Sequence, residues 1–202
     1  IEIDKESCAY LGEHYPQLRV FRDDFLTFDF DRIFDGEPFG IVGNFPYNIS
    51  TEILFKVLDN RSRIPFFAGM FQKEVAERIA AEPGEMSILA VSAQLFAEAE
   101  LDIEVPRQFF TPPPKVDSQV VVLRARTEPL VAPENHKAFF RVVKAGFSAK
   151  RKKLRSSLSG GLAISKGAAE QLLKKAGISP DARAEDLVIA DWQRLLREWR
   201  TQ

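Results

Sequence analysis

The tetrapeptide Asn44-Phe45-Pro46-Tyr47 stands directly behind the apolar run Gly40-Ile41-Val42-Gly43. In doubly wound α/β sheets ligands sit beyond the carboxyl ends of the strands, so if the run is a strand these four residues stand where chemistry is done. Their types suit one task. The exocyclic amine of adenine is a poor nucleophile because its lone pair is delocalised into the ring. Two acceptors that take both of its protons favour a pyramidal nitrogen and localise that lone pair. The side-chain oxygen of Asn44 and the carbonyl of Pro46 can form such a pair. Tyr47 offers a flat face on which a base can stack. No metal and no strong general base is required, since the amine becomes acidic once alkylated. Asn and Pro are also ordinary turn residues, and the tetrapeptide alone is compatible with a plain turn.

The elements that must hold these residues follow from apolar periodicity. Short runs predict strands over 1–4, 18–22, 39–43 and 65–71, with helices near 5–14, 51–60 and 72–81 between them. That alternation is the mark of βαβ units and a mostly parallel sheet. A helix is expected over 86–98. The runs 99–105 and 117–124 are expected to close the sheet as an antiparallel pair, Val120-Val121-Val122-Leu123 being strongly β-forming. Pro112-Pro113-Pro114 between them must be loop. Residues 125–135, with Pro129 and Pro133, read as a linker. Helical patterns follow over 136–147, 150–158, 165–176 and 191–200, punctuated by Gly160-Gly161 and by Gly177 with Pro180. The expected architecture is a Rossmann-like α/β domain over 1–125 and a small all-α domain over 126–202.

The chain has 202 residues, 45% of them hydrophobic, enough for one good core and a smaller second unit. Its formal charge of -1 hides an asymmetry. Residues 1–124 carry 12 Lys/Arg against 21 Asp/Glu, a net of -9, whereas residues 125–202 carry 16 against 8, a net of +8. An acidic body with a basic arm points to a polyanionic partner. The six cations between Lys144 and Arg155, with no acid among them, are the densest part of that arm. The single cysteine, Cys8, excludes an intrachain disulfide and a Cys-rich metal site. His14 and His136 lack ligand spacing, and no metal is expected. This composition fits a reducing, cytoplasmic compartment, and no apolar run is long enough to span a bilayer.

The longer run Asn44-Phe45-Pro46-Tyr47-Asn48-Ile49-Ser50 resembles the ribosomal RNA adenine dimethyltransferase family, whose usual form has Leu in place of Phe45. Three further stretches resemble the same family in the same order: Phe71-Gln72-Lys73-Glu74-Val75-Ala76-Glu77-Arg78-Ile79, Phe110-Thr111-Pro112-Pro113-Pro114-Lys115-Val116-Asp117-Ser118, and the basic run Ala145 to Arg155. The basic run, with Gly177-Ile178-Ser179-Pro180 and the residues to Leu187, is similar to the small-subunit (16S) branch. The resemblance covers nearly the whole chain.

It implies S-adenosyl-L-methionine as cofactor and N6,N6-dimethylation of two adjacent adenines near the 3′ end of small-subunit rRNA, in a pre-ribosomal 30S particle, by a monomer. It implies that Glu2 ends the second strand and binds the cofactor's ribose hydroxyls. Asp24 is expected to meet the cofactor's adenine amine, with Phe25 packed beside that ring and Asn44 near its methionine part. Phe110 is implied as a second aromatic face opposite Tyr47. Lys115, Lys144, Lys150, Arg151, Lys152, Lys153 and Arg155 are expected to neutralise RNA phosphates. The family's glycine-rich cofactor loop lies upstream of the position matched by Glu2, and no Gly-x-Gly-x-Gly occurs here. The sequence therefore reads as lacking the first strand, the loop and its helix, and this chain is expected to bind cofactor poorly. Three rivals stay open: the branch that methylates large-subunit rRNA in antibiotic resistance, a DNA adenine methyltransferase as a weaker one, and a non-catalytic RNA-binding assembly factor on the same fold.

Overall fold

The computed structural model describes residues 1–201. The chain runs α1 (Lys5–His14), α2 (Asp31–Phe34), β1 (Gly40–Asn44), α3 (Ser50–Asp59), β2 (Phe66–Gln72), α4 (Lys73–Ile79), α5 (Ile88–Phe96), β3 (Ala97–Val105), β4 (Ser118–Ala125), α6 (His136–Phe147), α7 (Leu154–Leu162), α8 (Lys166–Lys175) and α9 (Ile189–Arg200). Several starts are written in the side chains. Asp4 accepts the Ser7 amide at 2.7 Å ahead of α1, Ser87 the Ala90 amide at 3.2 Å ahead of α5, and Ser165 the Ala168 amide at 3.1 Å ahead of α8.

The sheet has the order β1-β2-β4-β3, with β1 and β2 parallel and the pairs β2–β4 and β4–β3 antiparallel. The closing pair expected from the sequence is therefore present. Parallel pairing is less extensive than expected. The segments 1–4 and 18–22 form a single parallel bridge, Glu2 with Arg22, rather than two strands. Phe21 packs edge-on against buried Phe28 at 5.5 Å, but Ile1, Ile3 and Leu18 stay 43%, 63% and 52% exposed. Without a buried face a strand has little to hold it.

Helix α7 also starts later than expected, at Leu154, with turns before it. One more helical turn would set Lys150 against Lys153 and Arg151 against Arg155, like charges three and four residues apart, which disfavours it.

Two cores meet on one helix. The sheet-side core takes Ile53, Leu54 and Val57 from α3, Phe67 and Phe71 from β2, and Ala93 from α5. The helical core takes Ala90, Val91 and Leu95 from α5 with Phe139, Leu158, Leu172 and Trp192. Within the helical unit, α7 closes on α6 through a glycine. A Cβ on Gly161 would stand 2.5 Å from the Ala145 Cα and 2.9 Å from its carbonyl oxygen, whereas one on Gly160 meets nothing within 4 Å. Gly160→Ala is therefore expected to stabilise the chain by about 0.5–1 kcal/mol through helix propensity. Gly161→Ala is expected to destabilise it by about 1–2 kcal/mol through overpacking. Calorimetry should give melting temperatures that move in opposite directions; equal shifts would contradict the packing described.

Candidate active site

Asn44 is the last residue of β1, paired with Met70 of β2, and the tetrapeptide leaves the sheet at the carboxyl edge of its parallel strands. Strand alternation decides which way each residue points. The Phe45 ring turns inward beneath two glycines. A Cβ on Gly43 would lie 2.5 Å from that ring, and one on Gly69 3.0 Å from it. It stacks on Phe67, with centroids 5.6 Å apart and planes 8° from parallel, and meets Phe25 at 5.6 Å. With Phe45 held from within, Asn44 and Pro46 are left exposed. The Pro46 carbonyl accepts the Ile49 amide at 3.2 Å, which uses one of its two lone pairs. The Asn44 amide group has no hydrogen-bond partner among the described residues, so both its donor and its acceptor are available.

A cavity of about 680 Å³ opens beside β1, lined among others by Glu2, Asp23, Asp24, Phe25, Asn44 and Pro46. All four residues expected to meet a cofactor thus border one space. Glu2 Oε1 accepts the Asp4 amide at 2.8 Å and Asp24 Oδ1 the Leu26 amide at 2.9 Å, leaving one oxygen of each carboxylate without a partner among the described residues. The segment carrying Asp24 and Phe25 is fastened by Lys56 of α3. Its ammonium donates to the carbonyls of Phe25, Leu26 and Phe28 at 2.7, 3.0 and 2.7 Å. It also lies over the Phe30 ring at 4.7 Å. Burial pushes the Lys56 pKa below its ordinary value, partly offset by Asp24, Asp29 and Asp23. Asp23 is held below the usual carboxylate value by its bond to Arg32, at 2.6 Å, which braces the same segment.

Tyr47 is half-buried, and its hydroxyl shares a 2.5 Å hydrogen bond with Ser118 Oγ, which is fully buried. That bond ties the turn to the first residue of β4, next to Gln72 at the same edge. The 106–117 loop is tethered there too, since Asp117 accepts the Arg107 amide at 2.9 Å on its carboxylate and the Lys73 amide at 3.0 Å on its carbonyl. Phe110 is half-buried in this loop, before a cis Thr111–Pro112 bond, and its ring does not touch that of Tyr47 among the described residues.

The expected phosphate contacts are dispersed. Lys115 is exposed on the loop, and Lys144 stands on the outer face of α6. Lys150 lines a second cavity with Glu74, Glu77 and Arg78, and Lys153 and Arg155 pair with Asp181 at 3.2 and 3.0 Å. Arg151 and Lys152 are exposed without an ion pair among the described residues. No helix among the described residues is long and apolar enough to cross a membrane.

The family model described as "Ribosomal RNA adenine dimethylase" matches residues 1–200. The chain belongs to the ribosomal RNA adenine dimethylase family. It is 47% identical over 162 residues to "Ribosomal RNA small subunit methyltransferase A" of Flavobacterium johnsoniae, a match covering 78% of this chain and 62% of that relative. A protein of the same name from Xanthomonas campestris pv. campestris is 42% identical over 200 residues, covering 96% of this chain and 74% of that one. The chain spans about three fifths of the length of the first of these relatives. Among solved structures, the 23S rRNA methyltransferase ErmE superposes with a TM-score of 0.78 at 29% identity, covering 98% of this chain and 79% of that one. The chain shares its Rossmann-like α/β fold with this structure and, at a TM-score of 0.74 and 26% identity over 98% of this chain and 77% of that one, with a dimethyladenosine transferase from Plasmodium falciparum.

One supporting residue, Lys56, carried no signal in a single sequence, since it looks like any helix-surface lysine. Ser118 lies in the family-like Phe110–Ser118 stretch, but its bond to Tyr47, 71 residues away, was not visible there. Lys56→Met keeps the aliphatic stem and removes the three bonds. It is expected to cost about 2 kcal/mol, in the range for hydrogen bonds to a charged group, and to speed amide exchange at Leu26–Phe28. Unchanged exchange there would show that the segment stands without Lys56.

Proposed function

We propose that this protein catalyses the S-adenosyl-L-methionine-dependent N6,N6-dimethylation of two adjacent adenines near the 3′ end of small-subunit (16S) rRNA, acting as a monomer on a pre-ribosomal 30S particle in the cytoplasm. The observation that carries the reading is the convergence of Glu2, Asp24, Phe25, Asn44 and Pro46 on one cavity at the carboxyl edge of β1 and β2. The names of the small-subunit relatives supply the substrate class.

The residues fit the cofactor's chemistry. The cavity falls within the usual range for small-molecule sites, about 300–1,000 Å³. Each of Glu2 and Asp24 has an oxygen free to accept, the first from the ribose hydroxyls and the second from the adenine amine of the cofactor, with Phe25 flanking that ring. When bound, the cofactor supplies a sulfonium-activated methyl group. The chain's own part is to present the nucleophile. Asn44 Oδ1 and the remaining lone pair on the Pro46 carbonyl accept hydrogen bonds from the two N–H groups of the target amine in the first transfer, and one of them accepts from the single remaining N–H in the second, so that the nitrogen lone pair is localised each time. Tyr47 holds one face of the flipped base, its ring set by Ser118, and Phe110 supplies the opposite face once the loop adjusts to the base. Lys115, Lys144, Lys150, Arg151 and Lys152 neutralise phosphates around it. Lys153 and Arg155 do the same from their pairs with Asp181, which, being exposed, are weak enough to exchange. The helical unit, 126–202, forms the RNA-binding side of the molecule.

The likeness to ErmE favours a second reading, methylation of large-subunit rRNA, though at lower identity than the small-subunit relatives. Both are separated by following labelled methyl transfer to undermethylated small-subunit particles, to large-subunit rRNA and to DNA, using the full-length gene product. Transfer is expected to the small-subunit particles, and Asn44→Ala is expected to lower its rate by about 10²–10³-fold, as for loss of one preorganised polar group. A near-normal rate in Asn44→Ala removes the assigned role, and preference for large-subunit rRNA removes the substrate.

A further inference from the structure

Lys137, Arg141 and Lys144 follow one another along α6 at spacings of four and three residues, so they form one row on a single helix face. All three are exposed, and none takes part in an ion pair among the described residues. The row borders a groove of about 840 Å³ whose other walls include Phe55 of α3, Ile88 of α5 and Phe140 of α6. No carboxylate lines the groove; Glu52 and Asp59 lie on α3 on either side of Phe55 but outside it. Phe55 is 41% exposed, although every other large apolar residue of α3 is buried. Arg141 is seated over the Trp199 ring at 5.1 Å, which limits its freedom before any ligand arrives.

This pattern matches one chemistry. Surfaces that take single-stranded nucleic acid combine a positive groove for the backbone with aromatic faces for the bases. A duplex offers phosphates to the cations but keeps its bases stacked away from a ring in a groove. A protein occupant has no need of three unpaired cations with no acid among them, unless it is itself acidic.

We propose that this groove holds a single-stranded segment of RNA, with phosphates on Lys137, Arg141 and Lys144 and a base stacked on Phe55. The inference deepens the reading of the protein as an rRNA-modifying enzyme and rests on it for the kind of nucleic acid. It also places the strand close to the candidate active site. Phe55 stands five residues after Ser50, about 7.5 Å of helix rise, on the helix that the Asn44–Tyr47 turn leads into.

The test is fluorescence anisotropy of a labelled single-stranded RNA of about a dozen nucleotides, against a duplex of equal length, over a range of salt and without cofactor. The double variant Lys137→Glu/Arg141→Glu is expected to weaken single-strand binding by at least tenfold. It should lower the slope of log affinity against log salt by about 1.4, the share of two phosphate contacts. Phe55→Ala is expected to weaken single-strand binding by roughly tenfold, leave the salt slope and duplex binding unchanged, and be rescued by Phe55→Trp. Both positions are exposed, and unchanged circular dichroism and melting temperature will show that the variants fold. Parental affinity in both variants overturns the proposal. So does an equal loss on duplex and single strand in Phe55→Ala, or sedimentation showing that Phe55 instead holds two copies of the chain together. Because the readout needs no methyl transfer, a chain that binds as described yet leaves every RNA unmethylated refutes the enzymatic reading alone.

Discussion

The candidate site depends on the burial of one ring. Phe45 occupies the space that Gly43 and Gly69 leave open and packs against Phe67 on one side and Phe25 on the other. Because neighbouring residues in extended chain face opposite ways, fixing Phe45 inward fixes Asn44 and Pro46 outward. The same ring draws in the segment that carries Asp24, since Phe25 is its neighbour and Lys56 closes the segment from the other side. Core and site are therefore one structure. A side chain on either glycine would push the ring and, through it, the two polar groups that give the turn its chemistry. The two glycines make room for a ring as large as phenylalanine's at this position.

What could be read from the sequence was whatever is local. The apolar spacing of α3 and α6 announced helices because each buries one face, α5 was announced by apolar residues on nearly every turn, and the short apolar run through β2 announced a strand. The Asn44–Tyr47 turn was legible because its residue types and its place behind a strand are contiguous. The segments 1–4 and 18–22 misled for an instructive reason. Their composition is that of strands, but a strand needs a layer beneath it, and exposed Ile3 and Leu18 have none among the described residues. The contacts that set the site's geometry were hidden because they join distant positions. Tyr47 to Ser118 spans 71 residues, and Lys56 reaches back about 30 to its three carbonyls. The basic run was visible as charge, but the pairing of Lys153 and Arg155 with Asp181 was not. A count of cations overstates how many are free.

The charge asymmetry between the two parts of the chain acquires a physical role once the cores are seen to interlock. Helix α5 buries Ala93 against the sheet and Ala90, Val91 and Leu95 against the helices, so a single rod belongs to both. The Glu185 carbonyl accepts the amides of Gly84, at 2.8 Å, and Met86, at 3.2 Å, pinning the approach to α5 onto the helical unit. Hinged units would let cations and candidate active site drift apart, and phosphate binding would then raise affinity without orienting a base. Two units sharing a buried helix hold the row on α6 at a fixed position relative to α3 and the turn that precedes it. Phosphate contacts position and do not specify. Their value to a base-modifying site lies in the rigidity of what joins them to it, and here that rigidity comes from apolar packing on both faces of α5.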